Sequence, residues 1–154
     1  IRATPEEVWK PIEALGGENG WYYQNWLWNA RGALDRLCGG VGMRKRAPGS
    51  RIAVGGELDF WRVVTLAPNR ELRLVAEAKT PGEAVLSFRI RQTDTGITEL
   101  SQLAQFLPRG LGGMAYWALV APFHRRIFPG LIREIARRTG KPIVSGPQDL
   151  PDPR

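Results

Sequence analysis

The candidate acid–base groups in this 154-residue chain are His124, Glu77, Asp59 and Tyr116. Two carboxylates held close together raise the pKa of one partner, and such a pair can take and return a proton during a reaction. If Ala67-Pro68-Asn69 closes a three-residue hairpin, Asp59 and Glu77 fall nearly opposite one another on the outer face of a sheet. Arg73 or Lys79 would equally neutralise them there as ordinary surface charge. His124 follows Tyr116 by two turns on the same side of a helix, where it would serve as a general base inside a pocket. Its neighbours Arg125 and Arg126 would equally mark the way out to solvent. No serine, cysteine and histidine arrangement suggests a nucleophile, because Cys38 simply ends a helix on an apolar stripe.

Metal and redox chemistry find little to work with. One cysteine excludes an intrachain disulfide, and one cysteine with one histidine leaves almost nothing for a zinc or copper site. No acidic cluster suggests Mg²⁺ or Ca²⁺. The expectation is no metal and no cofactor. The net charge of +7 raises nucleic acid as a partner. However, 18 arginines against 4 lysines are scattered along the chain. Only Arg44-Lys45-Arg46 with Arg51, and the face from Arg125 to Lys141, concentrate them. A solvated basic surface accounts for that, and nucleic acid is not the expected partner.

The elements that would position these groups begin with the stretch Arg109–Arg138. Leu111, Ala115, Leu119, Phe123, Ile127, Leu131 and Ile135 recur every four residues as one drifting apolar stripe, widened by Tyr116, Val120 and Phe128. Met114 to Phe123 is apolar all round, which predicts burial on most sides. The run stops at His124, well short of the roughly 20 apolar residues a bilayer span needs, so no membrane span is expected. Pro122 and Pro129 should bend or break the helix, and Gly140 with Pro142 ends it.

Towards the start, Thr4-Pro5-Glu6-Glu7 opens a short helix with a capping box, and Val8, Trp9, Ile12 and Leu15 form its apolar face. A second helix starts at Asn25, with Leu27, Ala30, Leu34 and Leu37 on its buried side. Gly39-Gly40-Val41-Gly42 terminates it. Because these glycines follow a helix instead of opening one, they have the wrong polarity for a phosphate cradle. Trp28, Arg31 and Asp35 line up on another face, the last two as an i,i+4 ion pair. Trp21-Tyr22-Tyr23 with Trp26 and Trp28 reads as a packed core corner that could form one pocket wall.

From Glu57 the period becomes two. Glu57–Leu66, Arg70–Lys79, Glu83–Gln92 and Ile97–Leu107 are predicted strands of an antiparallel meander, separated by turn-forming residues. Leu58, Phe60, Val64, Leu72, Leu74, Ala76, Ala78, Ala84, Leu86, Phe88, Ile90, Leu100, Ala104 and Phe106 all have even numbers and form one apolar face. That face should pack on the long helix. Its alanines are small enough for a curved sheet to leave unfilled space beneath the helix, and Arg62 and Gln102 are its polar exceptions. Phe60, Arg62, Ala76, Ala84, Gln102, Ala104, Tyr116 and Val120 are therefore the candidate ligand-binding residues of an apolar chamber with a few polar groups.

The order short helix, second helix, glycine turn, antiparallel meander, long C-terminal helix resembles the helix-grip superfamily of START lipid-transfer domains, polyketide cyclases and SRPBCC-like ligand binders. Five stretches resemble an uncharacterised bacterial family within it: Gly16-Gly17 with Gly20-Trp21-Tyr22; Leu27-Trp28, Arg31-Gly32 and Asp35-Arg36; Gly39-Gly40-Val41-Gly42; Asp59-Phe60-Trp61-Arg62-Val63; and Pro108-Arg109-Gly110-Leu111 through Tyr116-Trp117 and Pro122-Phe123-His124. The resemblance implies an α+β helix-grip fold, often placed C-terminal to a Rossmann-type NAD(P)-binding domain that would then be its partner. It implies no chemistry. Helix-grip domains usually begin with a strand, and only Ile1-Arg2-Ala3 precede the first helix. The expectation is a clipped first strand, a domain over residues 1–140 and an extended proline-rich tail over 141–154. The chain opens with Ile1, which suggests part of a longer protein. Without a visible signal peptide, the expected location is cytoplasmic. The favoured function is binding of an apolar or amphipathic small molecule between sheet and long helix. The alternatives are a cyclase- or dehydratase-like enzyme using the same cavity, and an accessory module docking on an oxidoreductase domain.

Overall fold

Thr4 and Glu7 cap the first helix reciprocally. The Thr4 hydroxyl accepts from the Glu7 N–H at 3.2 Å, and the Glu7 carboxylate accepts from the Thr4 N–H at 2.9 Å. Two orphan donors are thereby satisfied, and Pro5 takes the first position of α1 (Pro5–Glu13). The computed structural model describes residues 1–44 and 50–149. Lys45 and Arg46 of the basic cluster, and residues 150–154 of the tail, lie outside the described residues.

The second helix, α2 (Asn25–Leu37), turns a different face inward from the one its leucines predict. Trp28, Gly32 and Asp35 are its buried residues, whereas Leu34 is 56% and Leu37 86% exposed. Asn25 does not cap it; Gln24 precedes the helix in the left-handed region, and the Asn25 side chain accepts from the Trp21 N–H instead. The rotation is fixed by Asp35. Its carboxylate, 1% exposed, accepts from the Gly42 N–H at 2.8 Å and from the Lys79 N–H at 2.6 Å. Leaving that charge unpaired in the interior would cost several kcal/mol, more than exposing two leucines, at roughly 1.5–3 kcal/mol each. The glycine turn wraps the same carboxylate: a Cβ on Gly40 would collide with it.

The meander follows in chain order as one five-stranded antiparallel sheet: β1 (Glu57–Leu58), β2 (Trp61–Ala67), β3 (Glu71–Ala76), β4 (Gly82–Gln92) and β5 (Thr98–Pro108). The single strand expected over Glu57–Leu66 is split. Leu58 faces Trp61, so Asp59 and Phe60 form a two-residue hairpin loop, with Asp59 at φ 56. Such a loop reverses the chain and resets the alternation. Trp61 and Val63 turn inward, Arg62 and Val64 outward, until a register shift between Val63 and Thr65 returns Leu66 to the inner side. Val64, expected inside, is 42% exposed. From β3 onward the even-numbered pattern holds: Leu72, Leu74, Leu86, Phe88 and Ile90 are buried. The outer face pairs Arg73 and Arg89 with Glu71, and Arg91 with Glu99.

The last element, α3 (Gly110–Arg138), runs unbroken through Pro122 and Pro129. Its second half closes the core, with Ile127, Leu131 and Ile135 packed beside α1 and the inner face. Its first half departs from expectation, since Leu111, Met114, Leu119 and Phe123 are 52–80% exposed. The reason is angular. A four-residue repeat advances about 40° per step on a helix of 3.6 residues per turn, so the stripe buried at Ile127 has rotated away from the sheet by Leu111. Gly113, Tyr116, Trp117, Val120 and His124 take the inward side there. The architecture is α+β, an antiparallel sheet gripping a long C-terminal helix, with two short helices near the N-terminus.

Candidate ligand cavity

The inner face of the sheet is filled at one end and hollow at the other. Cross-strand register puts Leu74 beside Leu86, and Phe88 beside Gln102, where the core is solid. Further along lie Ala76, Ala78, Ala84 and Ala104, whose methyl groups do not reach the helix above. A cavity of about 320 Å³ results, within the range of small-molecule sites.

Its walls are aromatic. On one side, Phe106 of β5 stacks on Trp117 of α3 at 5.2 Å, Trp117 on His124 at 5.4 Å, and His124 on Phe128 at 5.2 Å. Trp117, His124 and Phe128 stand at i, i+7 and i+11, one face of the helix. On the other side, Trp28 of α2 lies between Trp21 and Phe60, with centroids at 4.7 and 6.0 Å. Trp61 completes that wall. Strand order places the alanine-bearing β3 and β4 between the two walls as a floor. Leu27, Ala30 and Leu34 of α2 form the rim together with Phe123. The leucine face of α2 thus borders the cavity, and Asp35, bonded to the backbone of Lys79, ties this cover to the end of β3.

Polar groups in the walls are few: Arg31, Thr80, Gln105, Tyr116 and His124, with the indole N–H of Trp61. No carboxylate lines the cavity among the described residues. Burial lowers the pKa of His124 from its ordinary 6.5, an effect the Val120 carbonyl partly offsets and the charge of Arg31 reinforces. The imidazole is therefore neutral at pH 7. Its Nδ1 is enclosed. Among the described residues, Arg31 is the sole cation of the wall. Its guanidinium lies 5.9 Å from the Phe60 ring centre and makes no hydrogen bond among the described residues. Its ionic neighbour among the described residues is Asp35 at 3.9 Å, whose oxygens also accept from two backbone amides.

Of the residues singled out from sequence, Phe60, Ala76, Ala84, Ala104, Tyr116, Val120 and His124 line the cavity together. Arg62 does not. The hairpin loop at Asp59-Phe60 puts it on the opposite face, where it donates to Glu77 at 2.6 Å and to the Gly55 carbonyl at 2.8 Å. Gln102 is on the inner face but opposite Phe88, in the solid end, with its Oε1 enclosed and unpartnered. Asp59 and Glu77 are kept apart in different settings. Asp59 is 1% exposed and accepts from the Trp21 indole N–H at 2.8 Å. Glu77 is bound by Arg62 and Arg44, and the Arg62 hydrogen bond leads in holding its pKa below the ordinary value. Neither lines the cavity. Arg44, counted in the basic cluster, is spent on Glu57, Glu77 and the Asp59 carbonyl.

Sequence reasoning paired Arg31 with Asp35, as the structure does at 3.9 Å, and put Phe106 on the inner face, but it gave Arg31 no place in the cavity and Trp117 no role. The available signal was the spacing Trp117–His124–Phe128, which shares a helix face with Tyr116 and Val120. A second concavity, of about 520 Å³, lies on the outside between Pro5, Pro68–Arg70 and Ile90–Gln92, a groove formed by loop and hairpin ends. Among the described residues, no helix is long and apolar enough to cross a membrane. A family model described as "Protein of unknown function (DUF2867)" matches residues 1–131. None of the curated proteins compared with the chain matches it.

Proposed function

The chain belongs to that DUF2867 family, and from this premise we propose that it binds an apolar or amphipathic small molecule between the sheet and α3. The observation that carries the reading is the alanine floor beneath α3, which leaves about 320 Å³ unfilled between two aromatic walls. Apolar lining left uncovered here forgoes the burial that larger side chains at these positions would give. Four alanines where leucines would pack solidly are an expensive arrangement for a purely structural domain. Kinship with the helix-grip superfamily is part of the same proposal, supported by the order of elements. The test is a titration with a flat apolar fluorophore, followed by quenching of tryptophan. Saturable one-to-one binding in the native chain, lost in Ala104→Leu, supports the reading. Equal behaviour of the two proteins removes it.

A second reading, a cyclase- or dehydratase-like enzyme, is favoured by one observation: His124 borders the cavity and is neutral at pH 7. A base in that protonation state can accept a proton from a bound substrate. His124→Ala would then abolish turnover while binding persists. The third reading, a module docking on a Rossmann-type oxidoreductase domain, draws on the exposed Leu111, Leu119 and Phe123 of α3. The Trp21–Trp28 segment supplies no such patch apart from Trp26, because Trp21 and Trp28 are buried.

A further inference from the structure

The polar groups of the cavity narrow the class of ligand. Arg31 presents a planar fork of five donors, is 25% exposed at its side chain, and has no hydrogen-bond partner among the described residues. A partly exposed guanidinium whose donors are not taken up by the protein is a ready partner for an acceptor that enters the cavity. Asp35 is its ion-pair partner, but at 3.9 Å the contact is too long for a hydrogen bond, and the Asp35 oxygens accept from the Gly42 and Lys79 amides. Among the described residues, no carboxylate lines the cavity itself. Around the arginine are stacked rings with interplanar angles of 17–27°, a geometry suited to a flat ring system.

We infer that the cavity takes a flat aromatic acid, its ring over the alanine floor between the two aromatic walls and its carboxylate on the Arg31 guanidinium, facing His124. This rests on the reading of the cavity as a ligand site and adds the charge and shape of the ligand. The pairing of carboxylate with arginine is bidentate and charge-assisted, so it discriminates against a neutral isostere. It also couples to His124. The charged or titratable groups around that imidazole are Arg31 on α2 and Tyr116, Arg125 and Arg126 on α3, while β5 offers only the uncharged Gln105. An anion placed there cancels the repulsion from Arg31, so the bound protein holds a proton on His124 to higher pH than the free protein.

The matched probes 2-naphthoate and 2-naphthamide test this. The expected result is at least tenfold tighter binding of the naphthoate, reduced tenfold or more in Arg31→Gln, with the naphthamide affinity unchanged within twofold. Arg31→Lys, which keeps the charge but loses the fork, should lie between. The chain has one histidine, so a single imidazole signal reports its titration by NMR; it should move upward with naphthoate and stay put with naphthamide. Equal affinity for the two probes, equal loss of both in Arg31→Gln, or an unmoved histidine titration overturns the inference and leaves an apolar binding site standing. Failure of both probes to bind would take the cavity reading down with it.

Discussion

The indole N–H of Trp21 donates to the Asp59 carboxylate at 2.8 Å, and both residues are buried. This contact fixes the left-handed turn at Asp59 from which β2 departs, and so decides that Trp61, not Arg62, enters the cavity wall. Asp59→Ala removes the acceptor from a buried donor and strains the φ 56 backbone. It should cost about 2–3 kcal/mol in urea unfolding. Asp59→Asn keeps an acceptor oxygen and a residue that tolerates the left-handed region, so it should cost less than half as much. Equal losses in the two variants would show that the hydrogen bond does not set the turn.

Asp35 should matter more than its place outside the cavity lining suggests. It is the tie between α2, the glycine turn and the end of β3. Asp35→Ala leaves the Gly42 and Lys79 amides without an acceptor, and we expect a loss of about 3 kcal/mol together with faster hydrogen exchange throughout α2. Native-like exchange in that helix would mean that Trp28 alone holds the cover in place.

Filling the hollow end separates binding from stability. Ala84→Leu and Ala104→Leu add side-chain volume over the floor, where about 320 Å³ stands open. The melting temperature should stay level or rise, as for cavity-filling changes generally, while ligand affinity falls tenfold or more. A destabilised variant with intact binding would place the ligand elsewhere.

Two groups give opposite pH signatures. Glu77 has a folded pKa held below its unfolded value, near 4.5, by Arg62 and Arg44. Its contribution is therefore present above pH 4.5 and is lost as pH falls through the folded value. Glu77→Gln should flatten that acid limb, and salt should weaken it in the native chain because the network is partly exposed. Melting curves recorded from about pH 3 to 6, in both proteins at two ionic strengths, decide the matter.

His124 also has a lowered folded pKa, but here the favoured form is neutral. The unfolded chain binds the proton more readily, so stability falls as pH drops below 6.5, down to the folded pKa, and is level above that window. Its NMR titration in the free protein should lie below 6.5. His124→Phe, which keeps the stack between Trp117 and Phe128, should abolish this slope; a slope that persists would belong to another group.

Local rules made much of the fold legible in the residues themselves. Thr4-Pro5-Glu6-Glu7 carries its capping box in its composition, and the meander from β3 to β5 follows from a two-residue period between turn signals. The alanines that become the cavity floor are on the inner face for the same reason of parity. What failed was every inference needing a helix rotation or a strand parity that a distant residue sets. α2 turns on Asp35, which finds its partner at Lys79, 44 residues away. The parity of β2 is reset by Asp59, whose partner Trp21 lies 38 residues back. The slow drift of the α3 stripe leaves open which of two adjacent faces meets the sheet, and Gly113 and Tyr116 won over Leu111 and Leu119. Sequence determines periodicity, because neighbours along the chain fix it. Only the tertiary structure chooses the face, because a buried charge must find its hydrogen-bond partners wherever in the chain they lie.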